Sequence, residues 1–276
     1  MDLTTAVIFT LYRLLSWLLF ILLLPAVPLL MLFSRKRRAT LLQRLGFFTG
    51  PALQDKTCRR LWIHALSVGE VKSALPLVRC IKQKDHAIQI IFTASTLTGF
   101  ETARKLFAGA DGPLADGFGY FPLDFDFSIN RLVKRIDPDA VILVETDLWP
   151  NFLYTLERRQ LPVVLVNARL SIRSLKGFLR FKPVFSRVFS FLAMIFAQTR
   201  LDQERYLALG VDSEKIRVSG NIKFDQPVMP SDQAVDEQIR EVLGVQPHSV
   251  VVLAGSTHQG EEAMLLDWYI VEKQKT

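Results

Sequence analysis

The chain has 276 residues, half of them hydrophobic, and a formal net charge of +7. That length holds one large domain or one and a half ordinary ones, and that apolar content excludes a disordered chain. Six basic groups stand with one acid in residues 1–50 and six with none in residues 168–190, which leaves the remainder net acidic and excludes a uniformly basic nucleic-acid binder.

Residues 14–34 carry no charge, and the apolar stretch reaches back to Leu3 with only Arg13 interrupting. A helix needs about 20 such residues to cross a bilayer. Arg35-Lys36-Arg37-Arg38 follows at once, so charge asymmetry puts the C-terminal side in the cytoplasm. A cleaved signal peptide would carry its charge before the apolar core and a small-residue cleavage site after it. The expectation is therefore an uncleaved single N-terminal anchor over residues 1–34, with Pro25 and Pro28 leaving open a kinked or half-inserted helix. The two cysteines, Cys58 and Cys80, have no histidines at ligand spacing; they suggest a reducing compartment and buried, inert thiols rather than a metal motif.

From residue 60 a unit repeats: apolar run, small or polar loop, helical stretch. The predicted strands are 61–65, 87–92, 117–121, 140–144, 163–166, 193–196 and 216–218. Alternation of this kind predicts a parallel sheet with helices on both faces. The polar motifs follow the strands: Ser67-Val68-Gly69-Glu70 after the first, the stretch from Thr93 to Gly99 after the second, Glu145-Thr146-Asp147 after the fourth, Asn167-Ala168-Arg169 after the fifth, Gln198-Thr199 after the sixth and Gly220-Asn221-Ile222-Lys223 after the seventh. All fall on the carboxyl edge of the sheet, where open α/β folds take ligands.

Each motif also has a purely structural reading. Ser67-x-x-Glu70 matches a capping box as well as it matches a carboxylate held at the positive end of a helix, where it could take a proton from a substrate hydroxyl. Gly69 lets the backbone approach a ligand. Thr98-x-x-Glu101 reads as a second capping box, Asp147 as a helix cap ahead of Pro150, and Glu145 as a partner for Arg169. In residues 168–190 basic groups recur every three to five positions with Phe178, Phe181, Phe185 and Phe189 between them. That pattern suits an amphipathic helix on an anionic lipid surface, or a solvated helix packed through its phenylalanines.

Residues 224–232 hold two prolines and no apolar period, as an interdomain linker does. Beyond them the pattern predicts a helix at 236–243, a strand at 249–254 and a helix opened by Gly255-Ser256-Thr257-His258-Gln259-Gly260-Glu261-Glu262. Small and hydroxyl residues at such a helix start suit a phosphate, and His258 could bind it or cap the helix. One strand and one helix cannot bury their own faces.

Five motifs, in order, resemble those of the 3-deoxy-D-manno-octulosonic acid (Kdo) transferases: His64-Ala65-Leu66-Ser67-Val68-Gly69-Glu70-Val71, Glu145-Thr146-Asp147-Leu148-Trp149-Pro150-Asn151, Asn167-Ala168-Arg169-Leu170-Ser171, Gly220-Asn221-Ile222-Lys223-Phe224-Asp225 and Ser256-Thr257-His258-Gln259-Gly260-Glu261-Glu262. The resemblance implies a GT-B glycosyltransferase at the cytoplasmic face of the inner membrane. It would transfer Kdo from CMP-Kdo to a lipid A precursor with inversion, with no metal and no cofactor. It would use no nucleic acid and would touch inner-membrane lipid. By motif, Glu70 is the general base and Glu145 the second essential carboxylate. The acceptor side takes Ser67, Gly69, Thr98, Arg169, Arg173 and Lys176, and the donor side Lys223, Ser256, Thr257, His258 and Glu261. The domains expected are an anchor at 1–34, a Rossmann-like acceptor-side domain at 35–225, and a linker with the first βα unit of a donor domain at 226–276. The family's pattern continues past residue 276, so the expectation is a truncated copy, inactive alone; the alternative is a non-catalytic, membrane-attached acceptor-binding remnant.

Overall fold

The computed structural model describes residues 3–23, 25, 35–47, 58–108, 113–145, 148–225, 233–246 and 249–274. The chain divides into two compact units, Met1–Gln226 and Pro227–Thr276.

The first unit is built on seven parallel strands, β1 (Arg60–Ala65), β2 (Gln89–Ala94), β3 (Gly117–Tyr120), β4 (Ala140–Val144), β5 (Val163–Ala168), β6 (Met194–Ala197) and β7 (Ile216–Val218), in the order β3-β2-β1-β4-β5-β6-β7. Each lies within two residues of the sequence expectation. The central strands are apolar on both sides rather than alternating: Trp62, Ile63, Ile90, Ile91, Val141, Leu143 and Val144 are all fully buried. A parallel sheet covered on both faces demands that composition. The covering helices are α3 (Val68–Lys84) and α4 (Leu97–Phe107) on one face, and α5 (Asp126–Ile136), α6 (Pro150–Arg158), α7 (Ile172–Arg180), α8 (Lys182–Ser190) and α9 (Arg200–Ala208) along the other. The chain changes face after β3, so β1 and β4 lie side by side and diverge, the switch point at which such sheets open a crevice.

Two further helices precede the sheet, α1 (Leu3–Leu23) and α2 (Arg35–Arg44). The expected membrane span is not found among the described residues, and residues 24 and 26–34 of it lie outside them. Helix α1 ends at Leu23, ahead of Pro25, and among the described residues no helix is long and apolar enough to cross a membrane. One side of α1 is docked on the domain instead. Phe9, 3% exposed, stacks on Tyr154 at 4.9 Å and tilts against Phe191 at 5.3 Å. The Tyr12 hydroxyl donates to Asp124 at 3.0 Å, Arg13 pairs with Asp126, and Trp17 and Phe20 pack on Phe125 and Phe127. Arg13 is therefore not a blemish in a span but one half of an ion pair. The opposite side of α1 presents Leu11, Leu14, Leu15, Leu18 and Leu22 to solvent, each at least 60% exposed.

The basic segment after β5 is two helices. Phe181, with φ −121° and ψ 41°, ends α7, and the Lys182-Pro183 start opens α8. Phe178, Phe185 and Phe189 pack together, with ring centroids 4.3 and 5.8 Å apart, while Phe181 is exposed. The reading of a helix packed through its phenylalanines thus holds for Phe178, Phe185 and Phe189 and not for Phe181. Of the thiols, Cys80 is exposed rather than buried, and Cys58 is intermediate.

The second unit carries helices α10 (Gln233–Val242) and α11 (Glu261–Lys273). The strand expected at 249–254 does not form. Val250 and Leu253 are each 91% exposed, and a run with no neighbouring chain to accept its peptide hydrogen bonds has no ladder to join.

Candidate functional site

Strand β1 delivers the loop from Leu66 to Ser67 onto the carboxyl edge, and α3 starts there. Ser67 is the N-cap, its Oγ accepting from the Glu70 N–H at 3.5 Å, and Glu70 reaches back to accept the Leu66 N–H at 2.5 Å. The capping reading is realised, with the carboxylate bonding one residue ahead of the cap. The same bond holds a half-buried carboxylate at the positive end of α3. Gly69 has only Ser67 Oγ within 4 Å of a would-be Cβ, at 3.9 Å, so packing does not require a glycine there; its effect is to leave the loop open to an approaching molecule.

On the adjacent strand end, Glu145 has φ +66°, a left-handed conformation that costs a non-glycine residue on the order of 1 kcal/mol or more. Its neighbour on β5, Asn167, is also left-handed at φ +54°, where the β5–β6 register shifts between Leu165 and Ala168. Glu145 Oε1 lies 3.1 Å from Lys223 Nζ and accepts from Asn167 Nδ2 at 3.4 Å. Asn167 is fully buried; its Oδ1 accepts the Ile222 N–H at 3.2 Å and its carbonyl accepts from Gln198 Nε2 at 3.1 Å. One asparagine thus ties the ends of β5 and β6 to the turn Ile222–Asp225, which itself lies against α3. The partner expected for Glu145, Arg169, is replaced by Lys223, which the sequence placed with the donor set; Arg169 is exposed and has other contacts.

Thr98 is exposed in the first turn of α4, but the cap is Thr96, whose Oγ1 accepts from the Gly99 N–H at 3.0 Å, so a single cap two residues earlier takes the place of the box expected at Thr98 and Glu101. A Cβ at Gly99 would meet that Thr96 Oγ1 at 2.8 Å. Asp147 lies outside the described residues; the carboxylate that caps α6 is Asp124, accepting from Asn151 N at 3.1 Å and Phe152 N at 2.8 Å. Burial pushes the Asp124 carboxyl up to about 6 despite those bonds, and burial beside Asp124 pushes the Tyr12 phenol up. Arg173 and Lys176 are exposed on the first turns of α7. The loop before α7 is pinned by Asp202, 4% exposed, which accepts the Leu170 N–H at 3.0 Å.

Three further residues hold the rim together, of which His64 and Asn167 stand inside the sequence motifs and Arg44 outside them. His64 is fully buried, its Nδ1 3.0 Å from both the Thr93 carbonyl and Oγ1, its Nε2 3.3 Å from Ser95 Oγ, and its ring stacked on Phe121 at 3.9 Å. Arg44, at the end of α2, donates to the Ser95 carbonyl and lies 5.6 Å over the Tyr120 ring; burial pushes its guanidinium down, Tyr120 opposing. In sequence it is one more member of a basic run. Asn167 stands at a strand end, and a buried polar residue there is the cue that could have singled it out.

In the second unit, Thr257 Oγ1 donates to Glu262 at 2.7 Å and the His258 N–H to Glu261 at 2.9 Å; His258 itself is 86% exposed. Ser256 is left-handed at φ +56°. Thr257 and Glu261 line a cavity of about 460 Å³ with Gly255, Leu265 and Trp268. Among the described residues no cluster of metal-ligating side chains exists. The rim of the first unit offers two carboxylates, a lysine and a polar floor, which suits proton transfer from a hydroxyl.

Residues 39–226 match the family model described as 3-deoxy-D-manno-octulosonic-acid transferase (kdotransferase). The 3-deoxy-D-manno-octulosonic acid transferase of Haemophilus influenzae is 34% identical over 245 residues, covering 87% of this chain and 54% of the relative. That of Chlamydophila psittaci is 32% identical over 197 residues, covering 71% and 44%. A bifunctional glycosyltransferase/methyltransferase of Fusobacterium nucleatum is 31% identical over 210 residues, covering 75% and 32%. The chain spans about half the length or less of these curated relatives.

Proposed function

Because the chain belongs to the 3-deoxy-D-manno-octulosonic acid (Kdo) transferase family, we propose that it carries the acceptor-side domain of a GT-B glycosyltransferase moving Kdo from CMP-Kdo to a lipid A precursor. The observation that carries the reading is the pair of carboxylates, Glu70 after β1 and Glu145 after β4, on neighbouring strand ends at the switch point. In the proposed reaction an acceptor hydroxyl forms a bond to the anomeric carbon of Kdo, the bond from that carbon to the CMP phosphate breaks, and the hydroxyl proton passes to Glu70. CMP leaves with the electron pair. Glu145, held by Lys223 and Asn167, positions the acceptor or steadies the charge that develops.

Ser67, Gly69 and Thr98 shape the acceptor side of the crevice, and Arg169, Arg173 and Lys176, all exposed beside it, suit the acceptor's phosphates. Lys223, Ser256, Thr257, His258 and Glu261 are assigned to the donor, and the chemistry asks for no metal. The unpartnered leucines of α1 and the basic side of α7 support a seat on an anionic membrane surface.

The test joins this chain to the C-terminal half of a full-length family member and measures labelled Kdo transfer. Glu70→Gln keeps the size and much of the cap, so a rate loss of roughly 10²–10⁴ with an unchanged melting temperature is expected. Normal turnover with a lowered melting temperature would leave Glu70 a cap alone, and no transfer by the unmutated joined chain would favour the reading of a non-catalytic acceptor-binding domain.

A further inference from the structure

On the outer side of the helix layer, α1, α5 and α6 enclose a cleft of about 390 Å³ lined by Arg13, Asp126, Asn130, Tyr154, Arg158 and Arg159. It is separate from the carboxylate rim. Helix α6 starts at the rim and runs antiparallel to the strands, so its last residue, Arg158, and the following Arg159 lie toward the opposite edge of the sheet. Three guanidinium groups face one carboxylate there. Asp126 is already taken by Arg13. Arg159 donates to Asn130 Oδ1 through Nε at 2.9 Å and Nη2 at 2.5 Å, and Arg158 lies 5.9 Å over the Tyr154 ring. Among the described residues neither Arg158 nor Arg159 pairs with a carboxylate. The cleft is therefore short of negative charge, and forked guanidinium donors suit a phosphate as they suit a carboxylate.

The wall that α1 contributes decides which phosphate. With a step of about 100° per residue, Phe9, Tyr12, Ser16 and Phe20 face the domain and the exposed leucines face away. Arg13, about 40° round from Phe9, falls on the domain-facing side beside Phe20 and lines the cleft there. A helix whose free side is leucine settles about 5–10 Å into the headgroup region, and a cleft that this helix helps to wall then stands near the depth of the lipid phosphates. We propose that the cleft between α1, α5 and α6 is a binding site for the phosphate headgroup of an anionic phospholipid. This rests on the seat at the membrane surface argued above.

The experiment is sedimentation of the 276-residue chain with vesicles of phosphatidylcholine alone and of an equimolar mixture with phosphatidylglycerol. Wild type should prefer the mixture. Arg158→Gln with Arg159→Gln removes two exposed charges without touching the core, and circular dichroism should show the fold kept. Its affinity for the mixed vesicles should fall about 30-fold, at about fivefold per arginine, while binding to phosphatidylcholine is unchanged. Arg79→Gln with Lys84→Gln removes the same charge from exposed positions on α3, on the other face of the sheet, and should change neither. A full preference retained by the Arg158 and Arg159 variant, or an equal loss in the α3 variant, would overturn the cleft. Leu14→Asp with Leu18→Asp should abolish binding to both vesicles; binding kept by that variant would instead sink the membrane seat itself. Inorganic phosphate without vesicles should not raise the melting temperature of wild type above that of the Arg158 and Arg159 variant. If it did, the cleft would serve a soluble phosphate and the lipid assignment would fail.

Discussion

Strand β1 and residues 250–253 share a grammar, an apolar run feeding a loop of small residues and then a helix, yet they end in opposite states. In β1, Trp62, Ile63 and Ala65 are fully buried, with β2 on one side and β4 on the other. In the second unit Val250, Val251, Val252 and Leu253 are between 56% and 91% exposed, and no strand forms. The difference teaches that an apolar run is an offer, not a structure. A parallel strand exists only where neighbours accept its peptide groups and layers cover both faces.

The largest expected effect is on the core of that comparison. Trp62→Ala removes a fully buried ring that donates to Thr93 Oγ1 at 2.8 Å and meets Phe152 edge-on at 5.2 Å. It should cost about 3–5 kcal/mol in urea unfolding, against under about 0.5 for Val252→Ala. Equal costs would erase the contrast. A smaller effect compares the caps of the two units. Asp124→Ala strips two N–H partners from α6 and one from Tyr12, and should cost about 2 kcal/mol. Glu261→Ala breaks an exposed pair with His258 and should stay within about 0.5 kcal/mol. The last is a slope with pH. Asp124 is raised from 3.8 to about 6, so between those values the folded chain binds more protons than the unfolded one. Stability from this group grows as pH falls from 6 toward 4 and is lost as pH rises through about 6, by at most about 1.4 kcal/mol per pH unit. Asp124→Asn should flatten that segment of the pH–stability curve; an unchanged slope would assign it to other groups.

The seven strands were legible because each is a local apolar run, and the edge that collects the polar loops follows from their parallel sense. The partners were not. Glu145 pairs with Lys223 across 78 positions rather than with Arg169, Asp124 accepts two N–H groups at the start of α6, and Arg13 meets Asp126. Arg44 enters the rim from a helix that reads in sequence as part of a basic run. For Glu70 the capping geometry is plain in both sequence and structure, and its chemistry waits on the transfer assay.

The order and kind of the elements, the parallel sheet, the position of the carboxylates after β1 and β4 and the motifs of the family were determined by the sequence alone, since periodicity and spacing act over a few residues. Only the tertiary structure decided that α1 packs one side on the domain, which lysine holds Glu145, and that residues 250–253 stay unpaired. Those outcomes depend on groups brought together from distant parts of the chain. A buried carboxylate, a docked helix and a strand are each stable only with a partner, and local sequence does not carry the partner's identity.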